Sequence, residues 1–514
     1  MKTLTTADRI IASRRSLIEG LPAPPVHKAA QEGGCGVIGL AASEPLAGRH
    51  LIAPARQMHN RGNGKGGGIA AAGLAPVQMR VSPETLQNAT LLQVAYLDPQ
   101  ARPGVEQDAI LPNLDVLQAY AVPALNDYRE VPGLEVRPPD VWRYFVRAKS
   151  AALDRFADEH DLDTVDARQV EDEFIYRNSF QLNQSFYASL GEQRAFVLCH
   201  GRDLLVFKIV GHAEQAATYY LLEDVEAHVW IAHQRYPTKG RVWHPGGAHP
   251  FIGLNEALVH NGDFANYHAV STYLRQRNIM PLFLTDTEVS VLLFDLLDRV
   301  YDYPLEASIE ALAPTTERDF ELLPAEKQRL YKAVQMTHLH ASPDGPWFFI
   351  IARSQPDDGR WQLLGITDTS MLRPQVFALH EGKVQIGHIA SEKQAIDAAL
   401  EMRTRLSKVN LKLANQGFPP LRHGIGLHTG NVVAANIGST QRLSYAMVGE
   451  TVNIASRIQD LNKDYDTDIL ISDAVKQGVY RRIAMNAIPP VFVKGVSEPL
   501  HLFSIGKQPF VCVD

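Results

Sequence analysis

Short apolar segments alternate with glycine-, proline- and polar-rich stretches along most of the chain, and this pattern predicts strands joined by loops. The predicted strands are Cys35–Ala42, Ile69–Ala72, Arg194–Leu198, Leu204–Val210, His228–Ala232, Trp347–Ala352, Trp361–Thr367 and Val384–His388. A longer segment with helical periodicity, Asp286–Val300, follows Thr285, which is a favourable N-cap residue. The mixture of elements predicts an α+β domain.

Two regions depart from this pattern. Residues 80–185 are rich in proline and contain a charged segment, Val141–Asp161, for which we predict a helix; we interpret the region as a long insertion. Towards the C-terminus we predict a helix at Glu392–Ala414, a strand at Gly424–His428 and short elements up to Ile505. The sequence therefore predicts a first domain over residues 35–395 and a smaller one over residues 396–508.

Composition narrows the classes of function. The chain has 514 residues, of which 45% are hydrophobic and 21% charged, and no apolar run approaches the length that spans a bilayer. The net charge is -7 without a basic stripe, so we expect neither nucleic acid nor a membrane as partner. Three scattered cysteines exclude a disulfide framework and a tetrahedral zinc site and fit a cytoplasmic protein.

The first 34 residues lack the apolar segment of a secretory signal and contain a short amphipathic helix pattern, Thr6–Leu21, before a proline-rich break. Asp8 and Glu19 argue against a transit peptide, because such peptides are depleted of acidic residues. We interpret residues 1–34 as an N-terminal extension or propeptide.

Cys35 lies between glycines in the segment Glu32–Gly39 (EGGCGVIG), where the backbone is accessible and the following strand holds the sulfur. A lone cysteine is usually a buried apolar residue. This segment, however, resembles the nucleophile strand of class II glutamine amidotransferases. The resemblance continues in the family's order through the Arg61-Gly62 loop, Ala232–Thr238 (AHQRYPT), His260–Asp263 (HNGD) and Thr285–Glu288 (TDTE).

The resemblance covers roughly residues 32–395 and is strongest for glutamate synthase-like amidotransferase domains that stand apart from their synthase. It implies a four-layer αββα fold of the N-terminal-nucleophile hydrolase kind. It also implies hydrolysis of glutamine to glutamate and ammonia without a cofactor, and transfer of the ammonia to a separate synthase-like subunit.

Glutamine presents three polar groups that a selective pocket must meet. The planar fork of Arg235 suits the α-carboxylate, Thr238 adds a hydroxyl contact near it, and Asp286 suits the α-ammonium. The alternatives are a surface ion pair for Arg235 and a first-turn helix position for Asp286.

Attack of a Cys35 thiolate on the amide creates an oxyanion that needs hydrogen-bond donors. The Asn261 side chain and the Gly262 N–H are the candidates, although Asn-Gly is also a strong signal for a hairpin turn. In the resembling family the free α-amino group of the cysteine is the base. Because Cys35 is preceded by Gly34, we predict cleavage between these two residues.

Two other sequence patterns, a glycine run and a pair of histidines, do not match a phosphate-binding or metal-binding motif. The glycine run Gly62–Gly68 fails the phosphate-loop pattern because Gly66 follows Lys65, and we interpret it as a flexible loop over glutamine. His338 and His340 lack further ligands at metal spacing, so we expect surface or core histidines and no metal site.

Three segments of the second domain resemble the C-terminal part of a class III adenylate/guanylate cyclase domain, which has a ferredoxin-like α/β fold. They are Arg422–Gly430, Asn436–Ser439 and Val448–Arg457. The resemblance implies that Asn453 and Arg457, four residues apart and thus on one helix face, contact the ribose and phosphates of a nucleotide.

The resemblance is partial. The family's two metal-binding aspartate motifs are absent, and Ala446 and Val496 occupy positions where a base-selecting residue and a phosphate-binding lysine are usual. We therefore expect no cyclisation by this domain alone; ATP or GTP with a divalent metal would bind only if another chain completed it, for example in a dimer. At the junction near Ala390–Ala395, part of the sequence that each resembling family carries is absent. A fused gene and a joining artefact of sequencing are both compatible with this. The alternative function is a cyclase-related signalling protein whose amidotransferase domain senses glutamine.

Overall fold

The computed structural model describes residues 35–58, 64–234, 244–356, 358–369, 376–380, 384–390, 399–400, 403, 406, 410, 419, 422, 424–429, 433–439, 442–448, 450–477, 484–492 and 499–505. The chain divides into two units, Met1–Gly33 and Gly34–Asp514. The predicted propeptide and its cleavage site at Gly34 lie outside the described residues.

Twenty strands are present in the described part of the chain. They are β1 Gly36–Ala47, β2 Gly67–Leu74, β3 Thr90–Tyr96, β4 Leu114–Ala121, β5 Asp140–Ala148, β6 Ala195–Gly201, β7 Leu204–Ile209, β8 Glu226–Gln234, β9 Phe251–Ile252, β10 Glu256–Gly262, β11 Trp347–Gln355, β12 Arg360–Thr367, β13 Val376–His380, β14 Ile386–Ala390, β15 Ile425–Leu427, β16 Val433–Ser439, β17 Arg442–Val448, β18 Ile469–Ser472, β19 Met485–Ala487 and β20 Leu502–Ile505.

The α-helices of the described residues connect these strands. They are α1 Arg49–Gln57, α2 Pro83–Asn88, α3 Arg102–Val105, α4 Ser150–Glu159, α5 Ala167–Phe186, α6 Ala213–Tyr219, α7 Tyr267–Arg275, α8 Asp286–Asp295, α9 Leu305–Leu312, α10 Glu317–Phe320, α11 Ala325–Thr337, α12 Glu450–Asp464 and α13 Asp473–Gln477. No described helix is both long enough and apolar enough to cross a membrane.

The first sheet has the order β13-β14-β1-β8-β2-β7 and is antiparallel throughout. The second has the order β12-β11-β10-β9. The two sheets meet face to face: a Cβ added at Gly39 of β1 would lie 2.6 Å from Leu363 Cδ1 of β12 and 2.9 Å from Ile350 Cγ2 of β11. Strand β2 is buried along its whole length, so its residues are small or apolar.

Helices cover the other face of each sheet. Helices α1 and α6 contact strands of the first sheet, and α8 contacts β9 and β10 of the second. Helix α8 begins as predicted, because the Thr285 hydroxyl accepts a hydrogen bond of 3.1 Å from the Glu288 N–H. The helix continues as a π-turn at Leu296–Val300, so the predicted helix Asp286–Val300 is confirmed.

Strands β3, β4 and β5 of the insertion form a third sheet with β6, which follows the insertion; its order is β4-β5-β3-β6, and it has an apolar cluster of its own. The helix predicted over Val141–Asp161 is wrong in its first half, which is strand β5; only Ser150–Glu159 is helical. Strand β5 contains Val, Trp, Tyr and Phe, and it is paired on both sides, with β3 and β4. These pairings outweigh the local charged character of the segment.

An ion-pair network joins α5 of the insertion to the C-terminal end of α8, the helix that contacts the second sheet. Arg299 contacts both carboxylate oxygens of Asp295, at 2.8 and 2.7 Å, and Oε2 of Glu173 in α5 at 2.8 Å. Nearby, Arg202, which is 2% exposed, contacts Asp172 of α5 at 2.5 Å. Helix α5 is therefore held by ion pairs between its half-buried carboxylates and arginines of neighbouring elements.

The C-terminal part contains a sheet of order β15-β18-β20-β19 and a separate hairpin of β16 and β17. Strands β15 and β18 are parallel, and α12 lies between them in the chain, as a crossover connection requires. Most of the predicted helix Glu392–Ala414 lies outside the described residues, but those described within it from residue 399 to 410 are helical. The fold is thus mixed α/β with a cyclase-like C-terminal part.

Candidate functional site

Cys35 is buried, with 9% of its surface exposed, and directly precedes β1. The next residue, Gly36, pairs with Gln234 of β8. A Cβ at Gly36 would lie 2.6 Å from the Met58 Cβ, so a residue larger than glycine would clash at this position. The second described cysteine is different: Cys199 donates its thiol to the Leu204 carbonyl at 2.9 Å, and burial raises its pKa to about 12.

Asn261 and Gly262 are the last two residues of β10, where they pair with Phe348 and Trp347 of β11. The alternative of a two-residue hairpin turn is therefore wrong. Gly262 has φ +145°, and a Cβ there would meet the Pro346 carbonyl oxygen and lie 2.7 Å from Trp347 Cα. Only glycine fits this position without strain.

Asp286 is the first residue of α8. This agrees with the alternative interpretation of Asp286 as a carboxylate in the first turn of a helix. Its Oδ1 accepts a hydrogen bond from the Thr287 N–H at 2.9 Å, and its Oδ2 lies 3.6 Å from Nδ1 of His260. The side chain of Asp286 is 22% exposed.

The elements that carry Cys35, Asn261 and Asp286 are joined by direct contacts. His233 Nε2 lies 3.1 Å from the carbonyl oxygen of His260, the residue before Asn261. His233 itself pairs with Val37, two residues after Cys35. The structure thus brings the start of β1, the end of β10 and the start of α8 together. Arg235 and Thr238 lie outside the described residues.

Sequence reasoning missed three residues in this region: His233, His249 and Thr287. His233 and Thr287 lie within the motifs that contain Arg235 and Asp286, whereas His249 lies outside every motif, and the contacts of all three join elements that are distant in sequence. His249 stacks on His233 with ring centroids 4.0 Å apart, and its Nε2 lies 2.9 Å from the Thr287 hydroxyl.

The carboxylate of Glu288 shapes the approach to α8. It accepts hydrogen bonds from the N–H groups of Leu282 and Phe283, at 2.6 and 2.8 Å. Burial nevertheless dominates and raises the pKa of Glu288 to about 7. This carboxylate holds the segment that leads into Asp286.

The glycine run Gly62–Gly68 was predicted as a flexible loop, and this is wrong for its last two residues. Residues 59–63 lie outside the described part, whereas Gly67 and Gly68 belong to buried strand β2. A Cβ at Gly68 would meet the carbonyl oxygens of His249 and Phe207. These glycines therefore permit close approach of neighbouring backbone.

His338 is buried in the core, which is one of the two positions that we expected for it, the surface or the core. Its Nδ1 lies 2.6 Å from the Tyr273 hydroxyl and its Nε2 3.0 Å from the Tyr303 hydroxyl. Burial lowers the pKa of His338. Within the described residues no three His, Cys, Asp or Glu side chains are grouped as metal ligands would be.

In the C-terminal part, Asn453 and Arg457 both lie in α12, and Arg457 is half-buried. The helix approaches β15 closely at Gly426, where a Cβ would meet the Gln459 N and lie 2.5 Å from the Ala455 carbonyl oxygen. The sequence Gly424–Gly426 therefore sets the position of the helix that carries the two candidate nucleotide contacts.

We expect Gly426→Ala to destabilise the C-terminal part by about 1–3 kcal/mol, because an added methyl group there overlaps helix backbone that cannot rotate away. Limited proteolysis and thermal unfolding of the full chain measure the effect. Gly387→Ala is the matched control, since a Cβ at Gly387 has its nearest neighbour at 3.9 Å. Equal stability of the two variants would contradict the close helix–strand contact.

In the class III cyclases that the C-terminal segments resemble, two aspartate motifs bind a pair of divalent ions, and neither motif occurs in this sequence. From residue 391 to residue 424 the sequence contains a single aspartate, Asp397, and the described residues contain no cluster of three acidic or other metal-ligating side chains. One aspartate cannot supply both motifs.

Comparison with known proteins gives two results for different parts of the chain. Residues 379–506 match the family of the adenylate and guanylate cyclase catalytic domain. The matched range overlaps β13 and β14, which are hydrogen-bonded into the first sheet, so the family match begins before the strands of the cyclase-like sheet.

The chain is 30% identical over 368 residues to an uncharacterised protein of Archaeoglobus fulgidus, covering 71% of this chain and 86% of that protein. It is 34% identical over 113 residues to adenylate cyclase 1 of Rhizobium meliloti, covering 22% of this chain and 17% of the cyclase. Among solved structures, the guanylyl cyclase Cya2 is 30% identical over 26% of this chain and 73% of that one, with a TM-score of 0.22.

The similarity to the archaeal protein extends over most of both chains, whereas the similarity to cyclases is confined to the C-terminal quarter. The chain therefore belongs to the family of the Archaeoglobus fulgidus protein and carries an adenylate and guanylate cyclase catalytic domain match at residues 379–506.

Proposed function

We propose that this chain is a cyclase-related signalling protein that binds a nucleoside triphosphate through its C-terminal part and glutamine through its N-terminal part. The observation that carries the first half is the cyclase match at residues 379–506, together with α12, which presents Asn453 and Arg457 four residues apart. Cyclic nucleotide production would require a second chain to supply the missing metal-binding carboxylates.

Arg457 is the residue on which nucleotide binding should depend. Its guanidinium donates charge-assisted hydrogen bonds to phosphate oxygens, which are worth about 1.5–3 kcal/mol. We therefore expect Arg457→Ala to weaken the binding of a fluorescent ATP or GTP analogue to the full chain by about 10- to 100-fold. Lys463→Ala, in the last turn of the same helix, is the control and should leave affinity within about threefold.

Equal binding by the wild type and Arg457→Ala would refute a nucleotide site on this helix. Binding that responds to added glutamine would support the sensor function, because reciprocal coupling requires that each ligand change the affinity for the other. A change in nucleotide affinity with glutamine that disappears in Asp286→Asn would link the two sites.

A second candidate function, hydrolysis of glutamine, is supported by the contacts between the elements that carry Cys35, Asn261 and Asp286. The stacking of two sheets with helices outside supports a four-layer αββα arrangement, in which the cysteine begins an inner strand. The ammonia would pass to a separate synthase-like subunit.

In this reaction the Cys35 thiolate attacks the side-chain amide carbon and forms a tetrahedral oxyanion. The Asn261 side chain and the Gly262 N–H would donate to that oxyanion, while Asp286 would bind the α-ammonium and Arg235 the α-carboxylate. Loss of ammonia leaves a thioester, and water then releases glutamate. The α-amino group of Cys35 would carry the proton from thiol to leaving amide after removal of residues 1–34.

A further inference from the structure

Four buried residues, linked by three polar contacts and one ring stack, form a closed ring beside the proposed glutamine site. They are His233, His249, His260 and Thr287, and none is more than 4% exposed. His233 contacts the His260 carbonyl oxygen at 3.1 Å, and the His260 ring lies 3.5 Å from the Thr287 hydroxyl. The hydroxyl contacts His249 at 2.9 Å, and His249 stacks on His233.

Each member of the ring comes from a different element. His233 belongs to β8 in the first sheet, His260 to β10 in the second, and Thr287 to the first turn of α8, while His249 precedes β9. The ring therefore joins both sheets and a helix at one point. Hydrogen bonds in a buried setting are directional and costly to leave unmade, so the ring restricts how these elements move relative to one another.

Thr287 is the hub of this ring. A hydroxyl has one hydrogen to donate and two lone pairs, so it can serve both histidine rings at once. Donation to Nε2 of His249 leaves a lone pair for the N–H at Nδ1 of His260. Oδ1 of Asp286, the proposed ammonium ligand, lies farther away, at 3.4 Å, and is an alternative acceptor for the same hydrogen.

We propose that Thr287 is a positioning residue that holds Asn261, Gly262 and Asp286 in register with Cys35. The proposal rests on the glutamine hydrolysis proposed above. His260, to which the Thr287 hydroxyl is joined, precedes Asn261 directly, and Thr287 follows Asp286 directly. One hydroxyl thus fixes the residues on either side of the substrate amide.

The test compares Thr287→Val, which keeps the shape and removes the hydroxyl, with Thr287→Ser, which keeps the hydroxyl. Misplacement of a catalytic group by about 1 Å costs on the order of 100-fold in rate. We expect Thr287→Val to lower kcat for ammonia release by about 10- to 100-fold with KM changed less than threefold, and Thr287→Ser to restore most of kcat. A merely structural hydroxyl would not separate kcat from KM in this way.

Thr90→Val is the matched control, because Thr90 is a buried threonine in β3 of the third sheet. Its kcat should equal that of the wild type. If Thr287→Val does not fold, His249→Phe breaks the same contact while keeping an aromatic ring against His233, and the same loss of kcat is expected. Wild-type kcat in a folded Thr287→Val or His249→Phe protein would overturn the positioning role.

Labelling of Cys35 by a diazoketone analogue of glutamine, located by mass spectrometry, separates the two proposals. No labelling and no ammonia from correctly processed wild type would reject glutamine hydrolysis itself, and the role of Thr287 with it. Labelling and turnover in the wild type that Thr287→Val retains in full would reject only the positioning role.

Discussion

Cys35→Ala is expected to lower ammonia release from glutamine by at least about 1,000-fold, because removal of a nucleophile leaves only binding and the oxyanion donors to assist water. The measurement is glutamine hydrolysis by the purified chain, with the N-terminal residue determined in the same sample. Activity is expected only in protein whose first residue is Cys35.

Cys199→Ala is the matched control for this prediction. The Cys199 thiol is buried and donates to a carbonyl group, and its raised pKa keeps it protonated, so its loss should cost some stability but no activity. Ammonia release that persists in Cys35→Ala would exclude covalent catalysis by this thiol. An active protein of full length by intact mass would instead exclude the cleavage before Cys35.

Arg299→Met is expected to lower the free energy of unfolding by about 3–5 kcal/mol, because it leaves the buried Asp295 carboxylate without its cation and leaves Glu173 with Arg177 alone. Denaturant unfolding followed by fluorescence measures the change. The exposed pair Arg137–Asp140, at 2.8 Å, supplies the control: Arg137→Met should cost about 1 kcal/mol or less.

The stability difference between the wild type and Arg299→Met should depend on pH, and its direction follows from the pKa of Glu173. Burial raises the pKa of Glu173, but Arg299 and Arg177 outweigh burial and hold it below the usual range. A lowered carboxyl pKa stabilises the fold above the unfolded value, about 4.3, and that contribution is lost as the pH falls through the folded pKa. The difference between wild type and Arg299→Met should therefore be full near pH 7 and shrink below about pH 4. A difference that grows in acid would contradict the role of these ion pairs.

Several elements were predictable from local sequence because their signals are local. Thr285 caps α8 through a hydrogen bond three residues away, and continuous apolar runs such as Trp347–Ala352 form strands that are buried on both faces. The spacing of Asn453 and Arg457 likewise follows from the period of a helix. In each case the interaction joins residues within one or two turns or within one strand.

Other features were decided by partners that are distant in sequence. Strand β5 was predicted as helix because its charges suit a helix face, yet its pairing with β3 and β4 determines its conformation. The Asn261-Gly262 pair has the composition of a turn, but β11 extends the ladder to its last residue. Local preferences are worth less than the hydrogen bonds and burial that a neighbouring strand provides.

The candidate site also combines features that local sequence predicts with features that depend on residues distant in sequence. The sequence by itself determined which residues are candidates for chemistry, Cys35, Asn261, Gly262 and Asp286, because reactive and polar groups can be recognised from residue type and motif. Only the tertiary structure decided that a buried ring around Thr287 joins their elements, since His233, His249 and His260 meet through contacts between separate sheets. Contacts of that kind leave no periodic pattern in the chain, because each depends on how two sheets and a helix pack together.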